Sequence, residues 1–348
     1  MKLGIIGLPQ SGKSTMFGAL TGARGEAPPQ KGGRSDQRIG TVRVTDARVD
    51  TLSDLYKPKK TTYAQVEYLL PSNPGGDASS APESALWNQV RACDALIHAV
   101  RNFKGTLGVA PTPGRDFTLL EEEMIIHDLA VVEKKIERMD LDAKRGKKTD
   151  EETRERIHAC RALLEENRPL RDDPVLSASP VLRGFTFLSA KPQLVILNND
   201  DEDESFPEAF DPPAGLETLL VRGGLEKEIA QLSAEEAEEF MTAYHIETSA
   251  LDRVIRSSYE LLNLISFFTV GEDEVKAWTI PRGTPALEAA GVIHSDIQQG
   301  FIRAEVIGFE ELERLGTYQE AKKAGQVRLE GKEYVVQDGD IVHFRFNV

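Results

Sequence analysis

Apolar positions in the first part of the chain, and again in its middle, form short continuous runs separated by longer amphipathic stretches. Continuous apolar runs are typical of strands in a parallel sheet that helices cover on both faces. The predicted strands are residues 2–7, 65–70, 95–100, 194–198 and 218–221. The pattern therefore predicts an α/β domain with a mostly parallel sheet.

Residues 117–170 follow another rhythm, with apolar side chains at alternating spacings of four and three. This seam consists of Ile125, Leu129, Val132, Ile136 and Met139. The polar segment 145–150 interrupts the seam, and the helical spacing resumes at Ile157, Cys160 and Leu164. Such heptad spacing predicts two helices of an antiparallel coiled-coil hairpin. Because strand patterns return afterwards, the hairpin is predicted to be an insertion.

The C-terminal part carries short alternating segments at residues 300–307, 326–329, 334–336 and 340–346, separated by glycine-containing turns. This pattern predicts a small α+β domain of the open-barrel or grasp type, with Trp278 and Phe301 in its core. We therefore divide the chain into three parts. They are a nucleotide-binding domain of residues 1–116 and 178–263, the hairpin of residues 117–177 and the C-terminal domain of residues 264–348.

Residues 7–14 read GLPQSGKS and match the phosphate-loop pattern GxxxxGK[ST], with a strand predicted before and a helix after them. Glycines let the backbone turn tightly, so that successive N–H groups and the helix N-terminus point at phosphate oxygens. In this pattern Lys13 reaches the β and γ phosphates, and the Ser14 hydroxyl is a Mg²⁺ ligand. The predicted contacts to ATP or GTP come from Gly7, Pro9, Gln10, Ser11, Gly12, Lys13, Ser14 and Thr15.

The formal net charge of −15 argues against a protein that coats nucleic acid through its phosphates. No apolar stretch is long enough for a membrane helix, and the N-terminus lacks the form of a secretory signal. Cys93 and Cys160 have no CxxC spacing and are predicted to be buried thiols. We therefore expect a cytoplasmic protein, and a monomer.

The segment GIIGLPQSGKSTMFGALTGA at residues 4–23 resembles the opening of the Obg-like ATPase (YchF) family. Residues 267–307 and 328–348 are very similar to that family's C-terminal TGS domain, and residues 46–60 and 91–101 also fit. The resemblance extends over essentially the whole chain. It implies a P-loop G-domain with an inserted coiled coil, a β-grasp-like TGS domain, ribosome association and slow ATPase or GTPase activity.

The resemblance also assigns base recognition to Asn198 and Asp201, which stand where the family has an Asn and, three residues later, an acid. In GTPases with the NKxD motif a lysine lies along the guanine base, and here Asn199 replaces it. The resemblance thus favours ATP and leaves GTP open.

The switch motifs of the family are altered. Leu70 and Asn73 replace the Asp and Gly of DxxG, and Glu67 or Asp77 would substitute only in a rebuilt loop. These motifs place Mg²⁺ and contact the γ phosphate, so their loss predicts slow hydrolysis or completion of the site by a partner.

The switch I threonine falls near Arg34 or Ser35, and the base-pocket element reads VRGG at residues 221–224. Two main hypotheses follow. The first is a Mg²⁺-dependent NTPase switch at the ribosome, and the second is a nucleotide-binding scaffold with little hydrolysis. A small-molecule kinase is disfavoured because no lid-like arginine cluster is evident. For ribosomal RNA the predicted contacts are at the hairpin tip: Lys144, Arg145, Lys147 and Lys148.

Overall fold

The structure is a computed structural model, and two compact units make up the chain. The described residues are 1–22, 37–72, 83–105, 108–147, 150–208, 210–244, 246 and 248–347. The first unit consists of residues 1–41 and 67–254, and the second of residues 42–66 and 255–348. The three-part division made from the sequence stays a prediction. The two units group residues 42–66 and 255–263 with the C-terminal part, and they do not separate the hairpin from the nucleotide-binding domain.

The secondary structure is numbered along the chain. The strands are β1 (Lys2–Ile6), β2 (Arg38–Arg43), β3 (Lys60–Thr62), β4 (Gln65–Leu70), β5 (Ala95–Asn102), β6 (Gln193–Asn199), β7 (Glu217–Val221), β8 (Leu264–Thr269), β9 (Glu274–Pro281), β10 (Phe301–Gly308), β11 (Arg328–Glu330) and β12 (Asp340–Phe346). The helices are α1 (Lys13–Gly22), α2 (Ala47–Tyr56), α3 (Glu83–Arg91), α4 (Pro113–Lys144), α5 (Glu151–Glu165), α6 (Pro174–Ser177), α7 (Gly223–Ile229), α8 (Ala234–Ala243), α9 (Ala250–Leu261), α10 (Ala286–Ile293), α11 (Ser295–Gln299), α12 (Phe309–Leu315) and α13 (Tyr318–Lys323). In the described part of the chain no helix is both long and apolar enough to span a bilayer.

The first sheet has the strand order β2-β4-β1-β5-β6-β7. Its members from β4 to β7 pair in parallel. Every residue of β6 is buried, as expected for a strand covered on both faces. The five strands predicted from the sequence are all present, and the prediction of an α/β fold with a mostly parallel sheet is confirmed.

The predicted hairpin consists of α4 and α5, and the heptad seam forms their shared core. Val132, Met139, Ile157 and Cys160 are buried in one apolar cluster, with Leu129 and Ile136 packed against it. Pro113 begins α4, a position where proline's missing N–H costs no helical hydrogen bond. The seam was therefore a correct indication of paired helices. Cys93 is buried too, so both thiols are buried as predicted.

A buried carboxylate, which no sequence pattern singles out, connects α4 to the sheet. Asp128 is fully buried and accepts hydrogen bonds from Leu188 N (3.0 Å), Ser189 N (2.7 Å) and Ser189 Oγ (2.9 Å). The Arg91 guanidinium, at the end of α3, lies 3.2 Å from the same carboxylate. Asp128 thus holds α3, α4 and the segment before β6 together.

The second sheet has the strand order β11-β10-β12-β8-β9-β3. Phe301 is buried in its main apolar cluster and Trp278 packs against that cluster, as predicted. The alternating segment at residues 334–336 is not a strand, since Val335 makes only an isolated bridge to Pro285. Sequence reasoning also missed the antiparallel pair β8 and β9.

Glu305 on β10 makes the second unit sensitive to acid. Its carboxylate is almost fully buried and accepts hydrogen bonds from Tyr318 (2.7 Å), Lys322 (3.1 Å) and Arg345. Burial by itself would raise the pKa of Glu305, but the three donors outweigh it and lower the pKa from 4.5 to about 2. Because the unfolded chain binds this proton first, the stability that Glu305 contributes is lost as pH falls from 4.5 towards 2.

We therefore expect Glu305→Gln to lower the free energy of unfolding at pH 7 by about 1.5–3 kcal/mol, since hydrogen bonds to a charged group are removed. The difference from the parent should shrink between pH 4.5 and pH 2. Urea unfolding followed by Trp278 fluorescence, in a Trp87→Phe background, measures the second unit alone. A difference that stays constant over this pH range would contradict the prediction.

Candidate nucleotide site

The phosphate loop lies between β1 and α1, at the carboxyl end of the sheet. The chain leaves β1 towards β2 and β4 on one side, and it leaves β5 towards β6 and β7 on the other. Parallel α/β sheets bind ligands at such a point, where successive connections diverge and open a crevice. The predicted loop therefore occupies the place in the sheet where a ligand is expected.

Two glycines in this loop are required by close contacts. Gly12 has φ +87°, and a Cβ there would lie 2.0 Å from Asn198 Nδ2. A Cβ on Gly7 would lie 2.5 Å from both the Ala99 carbonyl oxygen and Ser11 Oγ. Gln10 also takes a left-handed conformation, with φ 65°. No larger side chain fits at Gly7 or Gly12 without moving the loop off the sheet.

The polar groups inside the loop lack sufficient partners of their own. Lys13 is 6% exposed, and its ammonium donates to the Leu8 carbonyl oxygen (3.1 Å). Burial lowers the pKa of Lys13. Ser11 Oγ is buried and has no hydrogen-bond partner among the described residues. An anion at the start of α1 would satisfy both groups, so the residues present fit a bound phosphate chain.

The remaining predicted phosphate ligands lie on the outer side of the loop. Pro9, Gln10 and Ser14 are exposed, and Thr15 is partly exposed. The hydroxyl of Ser14 is thus free to reach a metal ion held by phosphate oxygens. Within the described ranges no group of three His, Cys, Asp or Glu side chains could hold a metal ion by itself.

Asn198 holds the phosphate loop in place through its side-chain amide. Its Nδ2 donates to the Ser11 carbonyl oxygen (3.1 Å), and its Oδ1 accepts from Gly223 N (2.9 Å). The side chain is 4% exposed. Both ends of the amide are therefore engaged in joining the phosphate loop to the turn after β7. The geometry gives Asn198 a role in holding the loop, and its contact with the base, which the resemblance implies, stays a prediction.

Asp201 lies beside the same turn, and its Oδ1 accepts from Leu225 N (2.8 Å). A Cβ on Gly224 would come within 2.7 Å of both carboxylate oxygens, and a Cβ on Gly223 within 2.7 Å of Asn198 Oδ1. The VRGG segment is therefore matched to Asn198 and Asp201. Sequence reasoning missed this, although two adjacent glycines after a strand were the available signal.

Asn199 stands where NKxD proteins carry the lysine that lies along guanine. Its Oδ1 accepts from Asn102 Nδ2 (2.9 Å), and its Nδ2 donates to the carbonyl oxygens of Asp203 (3.0 Å) and Ser205 (2.9 Å). The side chain is buried. Asn199 is therefore unable to lie along a base.

The position of the switch acid is apolar. Leu70 ends β4 and is buried. Glu67 pairs with Lys2 across β1 and β4, and its carboxylate lies 3.2 Å from Lys2 Nζ at the amino end of the sheet. Glu67 thus points away from the phosphate loop. The other switch positions, Arg34, Ser35, Asn73 and Asp77, lie outside the described residues.

A strand–loop–helix of this geometry, at the divergence point of a parallel sheet, defines a P-loop nucleotide-binding protein. Similarity to known proteins makes the assignment narrower. The family model YchF-GTPase_C, described as a protein of unknown function (DUF933), matches residues 264–347.

Two relatives are similar over their whole length. The "Ribosome-binding ATPase YchF" of Bacillus subtilis (strain 168) is 36% identical, with 99% of each chain covered. Its namesake in Escherichia coli O157:H7 is 37% identical, with 100% of this chain and 99% of the relative covered. The solved YchF GTPase of Schizosaccharomyces pombe superposes with a TM-score of 0.86 at 30% identity, covering 99% of this chain and 97% of that one. The chain belongs to the YchF family, which confirms the resemblance found in its sequence.

Proposed function

We propose that this protein is a Mg²⁺-dependent ATPase that acts on the ribosome. The observation that supports it most directly lies in the phosphate loop, where the buried Lys13 Nζ has a single carbonyl partner and Ser11 Oγ has no partner among the described residues. The relatives from B. subtilis and E. coli carry the name ribosome-binding ATPase. Loop N–H groups and Lys13 would hold the phosphates, and Ser14 would be the protein's ligand for Mg²⁺, which would supply charge neutralisation at the phosphates.

The proposed preference for ATP rests on the base side of the site. Asn199 replaces the lysine that would favour guanine. Its side chain is buried and hydrogen-bonded to Asn102 and to backbone carbonyl oxygens. Asp201 keeps one carboxylate oxygen, Oδ2, without a partner among the described residues. That oxygen can accept a hydrogen bond from the amino group of adenine or of guanine, so the proposed preference for ATP rests on the missing lysine and on the relatives' name of ATPase.

A second candidate function is a nucleotide-dependent scaffold that hydrolyses little. It is favoured by one observation, the buried Leu70 at the place of the switch acid. Without that acid the metal lacks one supporting group, and the γ phosphate is less well placed for attack. The two candidates share the same nucleotide site and differ only in turnover.

The proposed ribosomal contact is the hairpin tip. Lys144, Arg145 and Lys147 are exposed there, whereas Lys148 lies outside the described residues. Lysine and arginine contact RNA mainly through phosphates, so a basic tip on a chain of net charge −15 is suited to ribosomal RNA. A ribosomal partner places the protein in the cytoplasm, and we expect it to act as a monomer.

The first test compares nucleotides. Affinities for ATP and GTP in the presence of Mg²⁺ are measured by titration. The rate of hydrolysis is measured in single-turnover experiments with and without ribosomes. We expect tighter binding of ATP, with hydrolysis that ribosomes accelerate. Tight binding without turnover in either condition would move the function to the scaffold, and preferential binding of GTP would overturn the base assignment.

The second test reverses charge at the tip. We expect Lys144→Glu with Arg145→Glu to weaken ribosome binding at least tenfold at low salt, because binding then releases fewer counterions from the RNA phosphates. Lys134→Glu with Arg138→Glu is the matched control, since both residues are exposed on the shaft of α4. Co-sedimentation with ribosomes measures both variants. Equal decreases in the two pairs would show that overall charge matters and the tip does not.

A further inference from the structure

A small cavity of about 170 Å³ lies directly beside the phosphate loop. Gly7, Pro9 and Lys13 form its loop side, and Pro71 closes it where β4 ends. Its other walls are mostly apolar, and Glu123 of α4 brings a carboxylate to it. The proposed contacts with phosphate, metal and base give no role to this carboxylate, which lines the same cavity as the buried Lys13.

Glu123 is held in place by a rigid neighbour. Trp87 Nε1 donates a hydrogen bond to Glu123 Oε1 (3.0 Å). The indole is 2% exposed and belongs to an apolar cluster that includes Leu120 and Met124 of α4. Its ring also lies 5.5 Å from the His127 ring. The second carboxylate oxygen, Oε2, has no hydrogen-bond partner among the described residues and remains available to accept one.

The cavity begins directly after the position of the missing switch acid. Leu70 occupies the place of that acid, and the next residue, Pro71, lines the cavity together with Glu123. Ser14, which carries the metal-binding hydroxyl, is not among its lining residues. Glu123 and Lys13 therefore line the same cavity, and the metal-binding hydroxyl of Ser14 does not. A water molecule in this cavity would lie between the Glu123 carboxylate and a phosphate bound at Lys13.

We propose that Glu123 is a catalytic residue that orients and deprotonates the attacking water. This role rests on the proposed ATPase function. The water donates one hydrogen bond to Glu123 Oε2 and attacks the γ phosphorus. As the new P–O bond forms, the proton passes to the carboxylate, and the bond from the γ phosphorus to the β–γ bridging oxygen breaks. The electron pair leaves on ADP, and the proton then passes to the released phosphate.

The test compares three variants with the parent, with ribosomes present. Glu123→Gln keeps the shape and the indole hydrogen bond but is unable to take a proton. We expect its single-turnover rate to fall about 100-fold while ATP affinity stays within about threefold, as for loss of a general base. Trp87→Phe leaves the carboxylate unheld, and we expect an intermediate decrease of about tenfold. Glu122→Gln is the matched control, because Glu122 faces Asn167 on the surface of the same helix.

Three readouts decide the outcome: the pH–rate profile, the Mg²⁺ affinity, and the single-turnover rate compared with the ATP affinity. The hydrolysis rate of the parent should decrease towards acid pH, and Glu123→Gln should lack this decrease. The Mg²⁺ affinity should be the same in both proteins. If the parent turns over and Glu123→Gln matches it, the role of Glu123 is overturned and the ATPase proposal stands. If Glu123→Gln loses ATP affinity as much as rate, Glu123 is structural. A parent that binds ATP without any turnover overturns both proposals.

Discussion

Replacing Lys13 with alanine is expected to abolish triphosphate binding. The ammonium is buried at the start of α1 and has one carbonyl partner, so most of its hydrogen-bonding capacity is open to phosphate oxygens. A hydrogen bond to a charged group contributes about 1.5–3 kcal/mol, and Lys13 is positioned to bind two phosphates. Without these two hydrogen bonds the affinity should fall at least about 100-fold.

Fluorescent-nucleotide titration measures this change, with circular dichroism to show that the variant is folded. The apo protein should lose no stability, because the variant removes a buried charge that costs desolvation energy. Lys2→Ala is the control, since Lys2 lies at the amino end of β1 and pairs with Glu67. Unchanged affinity in Lys13→Ala would refute the assignment of the phosphate site.

Replacing Asp128 with alanine is expected to be the most destabilising single change in the first unit. The variant removes the acceptor for three hydrogen bonds from Leu188 and Ser189, and it leaves the Arg91 guanidinium facing a vacated site. Breaking a buried charge pair by removing one partner costs about 3–5 kcal/mol. Because Asp128 joins α3 and α4 to the segment before β6, the destabilisation should affect the whole unit.

Urea unfolding followed by Trp87 fluorescence, in a Trp278→Phe background, measures the first unit. Asp128→Asn keeps an acceptor and the shape, so its effect should be smaller. Glu165→Ala removes the exposed Arg161–Glu165 pair on α5 and should cost no more than about 0.5 kcal/mol. A cost below about 1 kcal/mol for Asp128→Ala would show that the carboxylate is not needed to hold these elements together.

The long helix α4 connects three functional or structural features of the molecule. Glu123 lines the cavity beside the phosphate loop, Asp128 anchors the helix to the sheet, and Lys144 ends it at the basic tip. At 1.5 Å per residue, Glu123 and Lys144 are roughly 30 Å apart along one continuous helix. A single element thus joins the proposed catalytic carboxylate to the proposed ribosomal contact.

Local patterns in the sequence were sufficient to predict many elements of the fold. The five sheet strands, the heptad seam of the hairpin and the phosphate loop are all encoded within short segments. In each, the spacing of apolar or glycine residues reflects the geometry of one strand, helix or turn. Where the pattern was weak, the alternation did not correspond to a strand, as at residues 334–336, or no strand was predicted, as for β8 and β9.

The arrangement of the site was decided by tertiary structure. Asn198 contacts the phosphate loop because β6 is two strands from β1 in the sheet. It joins Ser11 to Gly223, which are far apart in sequence. Glu123 reaches the cavity because α4 packs against Trp87 of α3. No local spacing encodes such interactions, since they depend on strand order and on which helix faces meet. The sequence therefore determined that this chain binds a nucleotide through a P-loop, and only the folded chain determined which distant side chains surround it.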